Sequence, residues 1–203
     1  MSRRLLRAPL TWVAVAVLGA VAVVGGYWFQ PWKIVVDRTV AEPLSEPVPA
    51  TAPEPSGSPG TTGPVPAGSP SGTVTSGPPG PGPTRPVLVG SGEFVTHEHR
   101  TTGTARIVRA PDGRHRLELV GLDTSDGPDL RVWLTDQPVR EGTAGWRVFD
   151  DGRWVELGRL KGNRGDQAYP IPTGTDLHEF RSVSIWCKRF SVSFGAAELH
   201  TVG

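Results

Sequence analysis

The chain is poor in the groups on which most protein chemistry depends. Its 203 residues hold one cysteine, one methionine and two tyrosines. A single cysteine, Cys187, excludes an internal disulfide, and the absence of any C-x-x-C excludes a self-contained dithiol exchanger. Neither sign of charge is in excess. Lys and Arg number 21 against 20 Asp and Glu, so the basic stripe of a nucleic-acid binder is missing and no nucleic-acid partner is expected. There is no G-x-S-x-G, no P-loop, no dinucleotide fingerprint and no Ser-His-Asp spacing. The carboxylates are too scattered to argue a glycosidase pair. No window carries a convincing helical stripe outside the N-terminus, and there is no internal repeat.

What is present divides the chain in three: 1–33, 34–86 and 87–203. The first part is uncharged from Ala8 to Phe29, the length needed to cross a bilayer core. Arg3, Arg4 and Arg7 precede the run, which predicts a cytoplasmic N-terminus and an extracytoplasmic remainder. Tyr27, Trp28 and Trp32 close it, as aromatics do at a membrane interface. A cleaved signal peptide is the competing reading. The length of the run and the bulky "YWFQPW" that follows it favour an uncleaved single-pass anchor. Eighteen of the 21 basic residues are arginine, a composition that suits a bacterial cell envelope.

The second part is a linker. Ala41 to Pro86 holds 14 of the 21 prolines and no aromatic residue. Such a segment buries too little apolar surface to offset its ordering entropy and is expected to be disordered and extended. Its expected role is reach, holding the next domain away from the membrane; a passive linker is the alternative.

The third part reads as strands. "RHRLELVGL" alternates Leu117 and Leu119 with polar neighbours. "DLRVWLTD" puts Leu130, Val132 and Leu134 on one face and Trp133 on the other. "SVSIWC" aligns Val183, Ile185 and Cys187, and "FSVSF" aligns Phe190, Val192 and Phe194. Turn residues punctuate these runs at 111–113, 125–129, 150–152, 162–167 and 172–176. The pattern indicates an all-β, antiparallel sandwich or barrel, and the expectation adopted is an antiparallel β-sandwich domain.

Five stretches of this part, "SGEF", "TTGTARIV", "TSDGPDLRVWL", "LGRLKGNRGDQAYPIP" and "FRSVSIWCKRFSVSFGAAEL", together resemble a DM13 domain across Gly90 to Leu199. The resemblance implies an extracellular β-sandwich module related to the DOMON domains that bind haem or sugars. It also implies a redox or electron-transfer role through a characteristic cysteine, which Cys187 matches, either as a thiol or through a bound group.

The residues around Cys187 argue in the same direction. The apolar phase shifts after Cys187, which requires a bulge or turn at Cys187-Lys188-Arg189 and places the thiol at a strand end. Lys188 and Arg189 are expected to lower its pKa. The opposing reading is a small buried apolar residue packed beside Trp186. A thiol acting alone needs an external partner: a protein, a small molecule or a cofactor.

Other candidates are weaker. His97 and His99, in "THEHR", would share one face of a strand, and one of them could ligate haem iron; a surface position is favoured for both. Asp123, Asp126 and Asp129 surround the "SDGPD" turn and could hold calcium, though the spacing departs from an EF-hand and better suits a hydrogen-bonded turn. Asp129 and Asp166 are expected to fix loops near the cysteine end. The alternative function is a non-catalytic module binding a sugar, haem or protein ligand of the cell envelope through exposed aromatics such as Trp146 and Trp154, although core packing is the favoured reading of these two rings.

Overall fold

The computed structural model describes residues 9–30, 36–49 and 85–202. One helix, α1 (Pro9–Phe29), opens the chain. Proline at its first position is pre-set for helical φ and has no N–H to leave unpaired. Its 21 residues rise about 31 Å, close to the thickness of a bilayer core. Thr11–Phe29 is apolar and long enough to cross a membrane, and none of it is buried against the rest of the protein.

The remainder of the described chain is mostly β. Its strands are β1 (Thr39–Ala41), β2 (Val48–Pro49), β3 (Val87–Thr96), β4 (Thr102–Arg109), β5 (His115–Asp123), β6 (Leu130–Thr135), β7 (Trp154–Arg159), β8 (Arg164–Pro170), β9 (Ser182–Cys187), β10 (Val192–Glu198) and β11 (His200–Thr201). They lie in one path, β1-β8-β5-β4-β3-β10-β9-β6-β7, with β2 and β11 added against β3. The path curls into an open half-barrel. Gly158 on β7 returns to lie against the Tyr169 ring of β8. Sequence patterning suggests two separate sheets. Here β3 joins the two halves: Val87 to Glu93 pair with β4, and Phe94 to Thr96 pair with β10.

The core fills the concave face. Leu117 and Leu119 of β5 and Ile107 of β4 meet Val132 and Leu134 of β6 and Val183 and Ile185 of β9. This is the alternation of inward side chains that a period of two requires. Trp133 and Trp186 point to the other face of the same strands, where they pack with Phe149, Val139 and Val148. The chain between β6 and β7 covers that outer face, so β9 is buried at every residue.

Two strands lie in the segment that composition assigns to the linker. β1 adds parallel to β8, Thr39 opposite Arg164, and β2 adds parallel to β3, Val48 opposite Val87. Residues 36–49 form a strap across the sheet. Glu42 accepts from Lys161 Nζ at 2.7 Å and from the Ala168 amide at 2.8 Å. The Ser45 amide donates to the buried Glu118 carboxylate at 3.0 Å. The proline-rich run that remains, 50–84, lies outside the described residues.

Glycine makes room for the strap. A Cβ on Gly165, whose φ is +92°, would stand 2.0 Å from the Val40 carbonyl oxygen, and one on Gly162 would stand 2.3 Å from that of Arg38. Gly165→Ala is therefore expected to push β1 off the sheet and to cost about 1–2 kcal/mol in backbone strain alone. Faster amide exchange at residues 39–42, with β4 and β5 unchanged, is the result to look for; unchanged exchange at 39–42 would refute it.

Candidate functional site

Strand directions define two ends of the half-barrel. Leu130 opposite Cys187, Cys187 opposite Val192, and Asp123 opposite Arg164 bring the turns at 97–101, 124–129, 160–163 and 188–191 to one end. That is the cysteine end. The far end carries the turn between Arg109 and His115 and the start of β3.

Cys187 is the last residue of β9, held between β6 and β10, and is 0% exposed. The shift of apolar phase is produced by a tight turn at 188–191, in which Ser191 takes φ +47°. The Phe190 amide donates to the Cys187 carbonyl at 3.2 Å, and the Lys188 amide to the Asp129 carbonyl at 3.0 Å. The thiol belongs to the main core with Leu130, Ile185 and Val192. Burial pushes its pKa up. The amides of Phe190, Arg189 and Asp129 offset part of that, and the Glu98 charge adds to it.

This corrects the expectation that Lys188 and Arg189 activate the thiol. Lys188 Nζ reaches Glu156 at 3.4 Å, and Arg189 donates to the Trp28 carbonyl. Both cations are held by other partners, and neither side chain is among the groups that shift the thiol. At neutral pH the group is a protonated, enclosed thiol, a poor nucleophile until it is opened to water. Phe190, expected in line with Val192 and Phe194, sits in the turn and is 37% exposed.

The histidines are not paired on one strand face. His97 lies just beyond β3 and is 5% exposed, against the surface position expected for it. Its Nδ1 bonds the Ser193 hydroxyl at 2.8 Å and its Nε2 the Arg140 carbonyl at 3.0 Å. Ser184 continues the chain to Ser193 at 3.0 Å. The imidazole and hydroxyl have the proximity of a catalytic dyad, but Ser193 is 0% exposed and Phe149 stacks on the imidazole at 5.7 Å. With both ring nitrogens occupied, His97 has no lone pair to offer haem iron. Its role is to tie the chain around residue 140 to β10. His99 is half-buried, its ring centroid 3.9 Å from that of Phe194.

Burial lowers the pKa of His97, His99 and His115. The unfolded chain then takes up protons first as pH falls below about 6.5. The stability these rings contribute is complete above that value and is lost as pH drops toward their lowered folded pKa values. Melting at pH 5 is expected several degrees below melting at pH 7.5, and His97→Asn should flatten the difference. An unchanged pH dependence in His97→Asn would assign the effect elsewhere.

The three loop carboxylates are not gathered. Asp123 pairs with Arg164 at 3.3 Å. Asp126 accepts from the Gly127 amide at 2.8 Å. Asp129 takes Arg131 at 2.8 Å and Arg159 at 3.4 Å. Among the described residues no group of three or more His, Cys, Asp or Glu is placed to hold a metal, so the calcium candidate has no ligand set. Asp166 accepts from the Gly121 amide at 2.7 Å, across the bulge of β5.

Sequence reasoning missed a stack of aromatic rings on the outer face. Trp154 of β7 lies parallel to Trp133 of β6 at 4.1 Å and 4°, and Trp133 lies on Trp186 of β9 at 5.1 Å. Trp154 is 40% exposed while Trp186 is 1% exposed. The rings step from the surface to the residue beside Cys187. Three tryptophans at outward positions of "DLRVWL", "GRWVEL" and "SIWC" were the available signal; strand order was needed to bring them together. Trp146 packs against the core, the reading favoured for it over a ligand platform.

A cleft of about 420 Å³ at the far end is lined by His115, Leu177, His178, Phe180 and Leu199 among others. It includes neither Cys187 nor His97 nor His99.

The family model described as "Electron transfer DM13" matches residues 93–199. The chain belongs to the DM13 family. The DM13 match runs from Glu93, within β3, to just beyond β10 and takes in Cys187, the Trp133 and Trp186 positions and both glycines that receive the strap. β1 and β2, which complete the sheet, lie outside it. No curated protein and no solved structure matches the chain.

Proposed function

We propose that this DM13 protein is a membrane-anchored, extracytoplasmic electron-transfer accessory with Cys187 as its redox group. The family match carries the reading. Two further features support it: α1 has the length and composition of a single-pass anchor, and Cys187 closes β9 beside a turn held at a left-handed serine.

The chemistry follows from one thiol with no second cysteine. Opening of the 188–191 turn admits water, and the thiol loses its proton to solvent. The thiolate attacks one sulfur of a partner's disulfide. A mixed disulfide forms and the partner's other sulfur leaves as a thiolate. This chain has no resolving cysteine, so a thiol of the partner must complete the exchange. The partner class is therefore a dithiol/disulfide protein or small molecule of the envelope.

The test is equilibration of the full chain with oxidised glutathione, read by intact mass. A glutathione adduct on the folded chain, absent in Cys187→Ser, supports the reading. Absence of an adduct from the folded chain, with full adduct after denaturation, makes Cys187 a packing residue and overturns it.

One observation favours a second reading. The outer face of the Trp154 ring is exposed while its inner face is braced on Trp133, a platform suited to stacking a sugar ring. Ligand binding that survives Cys187→Ser and is abolished by Trp154→Ala would support a binding module instead.

A further inference from the structure

We propose that the half-barrel is seated on the bilayer that α1 enters, cysteine end toward the lipid, with the β9–β10 turn contacting the phosphate-bearing headgroups. This rests on reading α1 as a membrane span.

Chain length sets the distance. Gln30 and Val36 are separated by six Cα steps, at most about 22 Å. Just beyond, the chain is fixed to the sheet edge. The Arg38 amide donates to Asn163 Oδ1 at 2.6 Å, the Arg164 amide donates to the Arg38 carbonyl at 3.2 Å, and Thr39 pairs with Arg164. The close fit of Gly162 and Gly165 to the strap backbone gives this attachment a built receptor. A domain tied there cannot stand off the membrane on a long stalk.

Strand direction sets the orientation. Thr39 enters at the cysteine end, since its partner Arg164 lies opposite Asp123. The strap then crosses to the far end, where Val48 pairs with Val87. Residues 50–84 leave from Pro49 and return at residue 85, so both ends of the proline-rich segment belong to the far end. Its length adds nothing to the separation of domain and anchor.

The turn carries the chemistry of an interfacial contact. Phe29, the last residue of α1, stacks on Phe190 at 5.9 Å and 17°. The Arg189 guanidinium lies 5.3 Å over the Trp28 ring and donates to the Trp28 carbonyl, one of the carbonyls a helix C-terminus leaves unpaired. Arg147 donates to the Phe190 and Ser191 carbonyls at 3.0 and 3.1 Å. Lys188, Arg189 and Arg147 thus surround an exposed aromatic ring. Glu156, the carboxylate paired with Lys188, is shared with Arg131. Cations around an aromatic tip suit anionic headgroups over hydrocarbon.

The test uses the full chain in phosphatidylcholine vesicles, with and without phosphatidylglycerol. An environment-sensitive fluorophore is placed on Phe190→Cys or, as a far-end control, on Thr173→Cys, each in a Cys187→Ser background so that only the introduced thiol is labelled. Nitroxide lipids are expected to quench the label at 190 at least about twofold more than that at 173. Arg189→Glu should reduce the excess, most in the anionic vesicles. Equal quenching at both positions, in a chain that resists alkaline extraction, overturns the docking and leaves the anchor standing. Release of the chain by alkaline extraction removes the span itself, and the docking with it.

Discussion

In the folded chain, Cys187 is expected to react with iodoacetamide at least about a thousandfold more slowly than in the unfolded chain. One cause acts through the closed state. The thiol is 0% exposed and burial pushes its pKa up, so the enclosed group is a protonated thiol and reagent must wait for an opening that returns it to water. The informative quantity is the dependence of the rate on low denaturant. Opening confined to the 188–191 turn exposes little surface and gives a shallow slope; global unfolding gives the full slope of the equilibrium transition. A shallow slope is expected, because Ser191 holds a backbone conformation that non-glycine residues adopt at a cost of about 1–2 kcal/mol. A full slope would mean that the thiol is never presented by the native protein, and Cys187 would then be a core residue alone. Fast alkylation at pH 7 would contradict the burial itself.

Glu118→Ala is expected to destabilise the chain by about 3 kcal/mol, the lower end of what breaking a buried ion pair costs. The Glu118 side chain is wholly enclosed between Arg106 and Arg116, each at 2.7 Å, and the Ser45 amide closes the cage from the strap. The arginines retain some solvent, which keeps the effect from being larger. Burial acts to raise the Glu118 pKa, but the bonds from Ser45 and the Arg106 charge outweigh it and the net shift is downward. This contribution is therefore complete above about pH 4.5 and is lost as pH falls through the lowered value. Loss of the carboxylate should also release residues 42–49. Denaturant titration, together with amide exchange at 42–49, measures both effects. A loss below about 1 kcal/mol, with the strap still protected, would show that the ion cluster does not hold it. Glu118→Gln, which keeps the bond to Ser45 and removes only the charge, should fall between wild type and Glu118→Ala.

Much of the half-barrel was legible. The inward sets Leu130, Val132, Leu134 and Val183, Ile185, Cys187, with Trp133 on the opposite face, are the sets the structure uses, because a strand has no choice but to alternate. The turn after Cys187 was required by the change of phase. What was not legible depended on neighbours distant in sequence. Trp133, Trp154 and Trp186 become a stack only once β9, β6 and β7 are adjacent. His97 looked like surface because its neighbours are polar, yet the chain near Arg140 folds over it. Glu118 looked like any outward residue of β5 until Ser45 closed above it. Residues 36–49 read as linker because their composition is that of a linker. Their strands are two and three residues long, too short for periodicity to register, and exist because a sheet edge supplies unpaired backbone groups.

The sequence by itself determined the apolar N-terminal run, the β character of residues 87–203, the family, and the identity of the lone thiol. These follow from local composition, period-two patterning and a matched set of motifs. Only the tertiary structure decided that the thiol is enclosed and protonated, that the cations beside it are held by other partners, and that the proline-rich segment begins and ends on the same side of the domain. Each of these is a question of what lies across space from a residue. Burial, charge pairing and chain entry point are set by strand order and register, which residue identity along the chain does not specify.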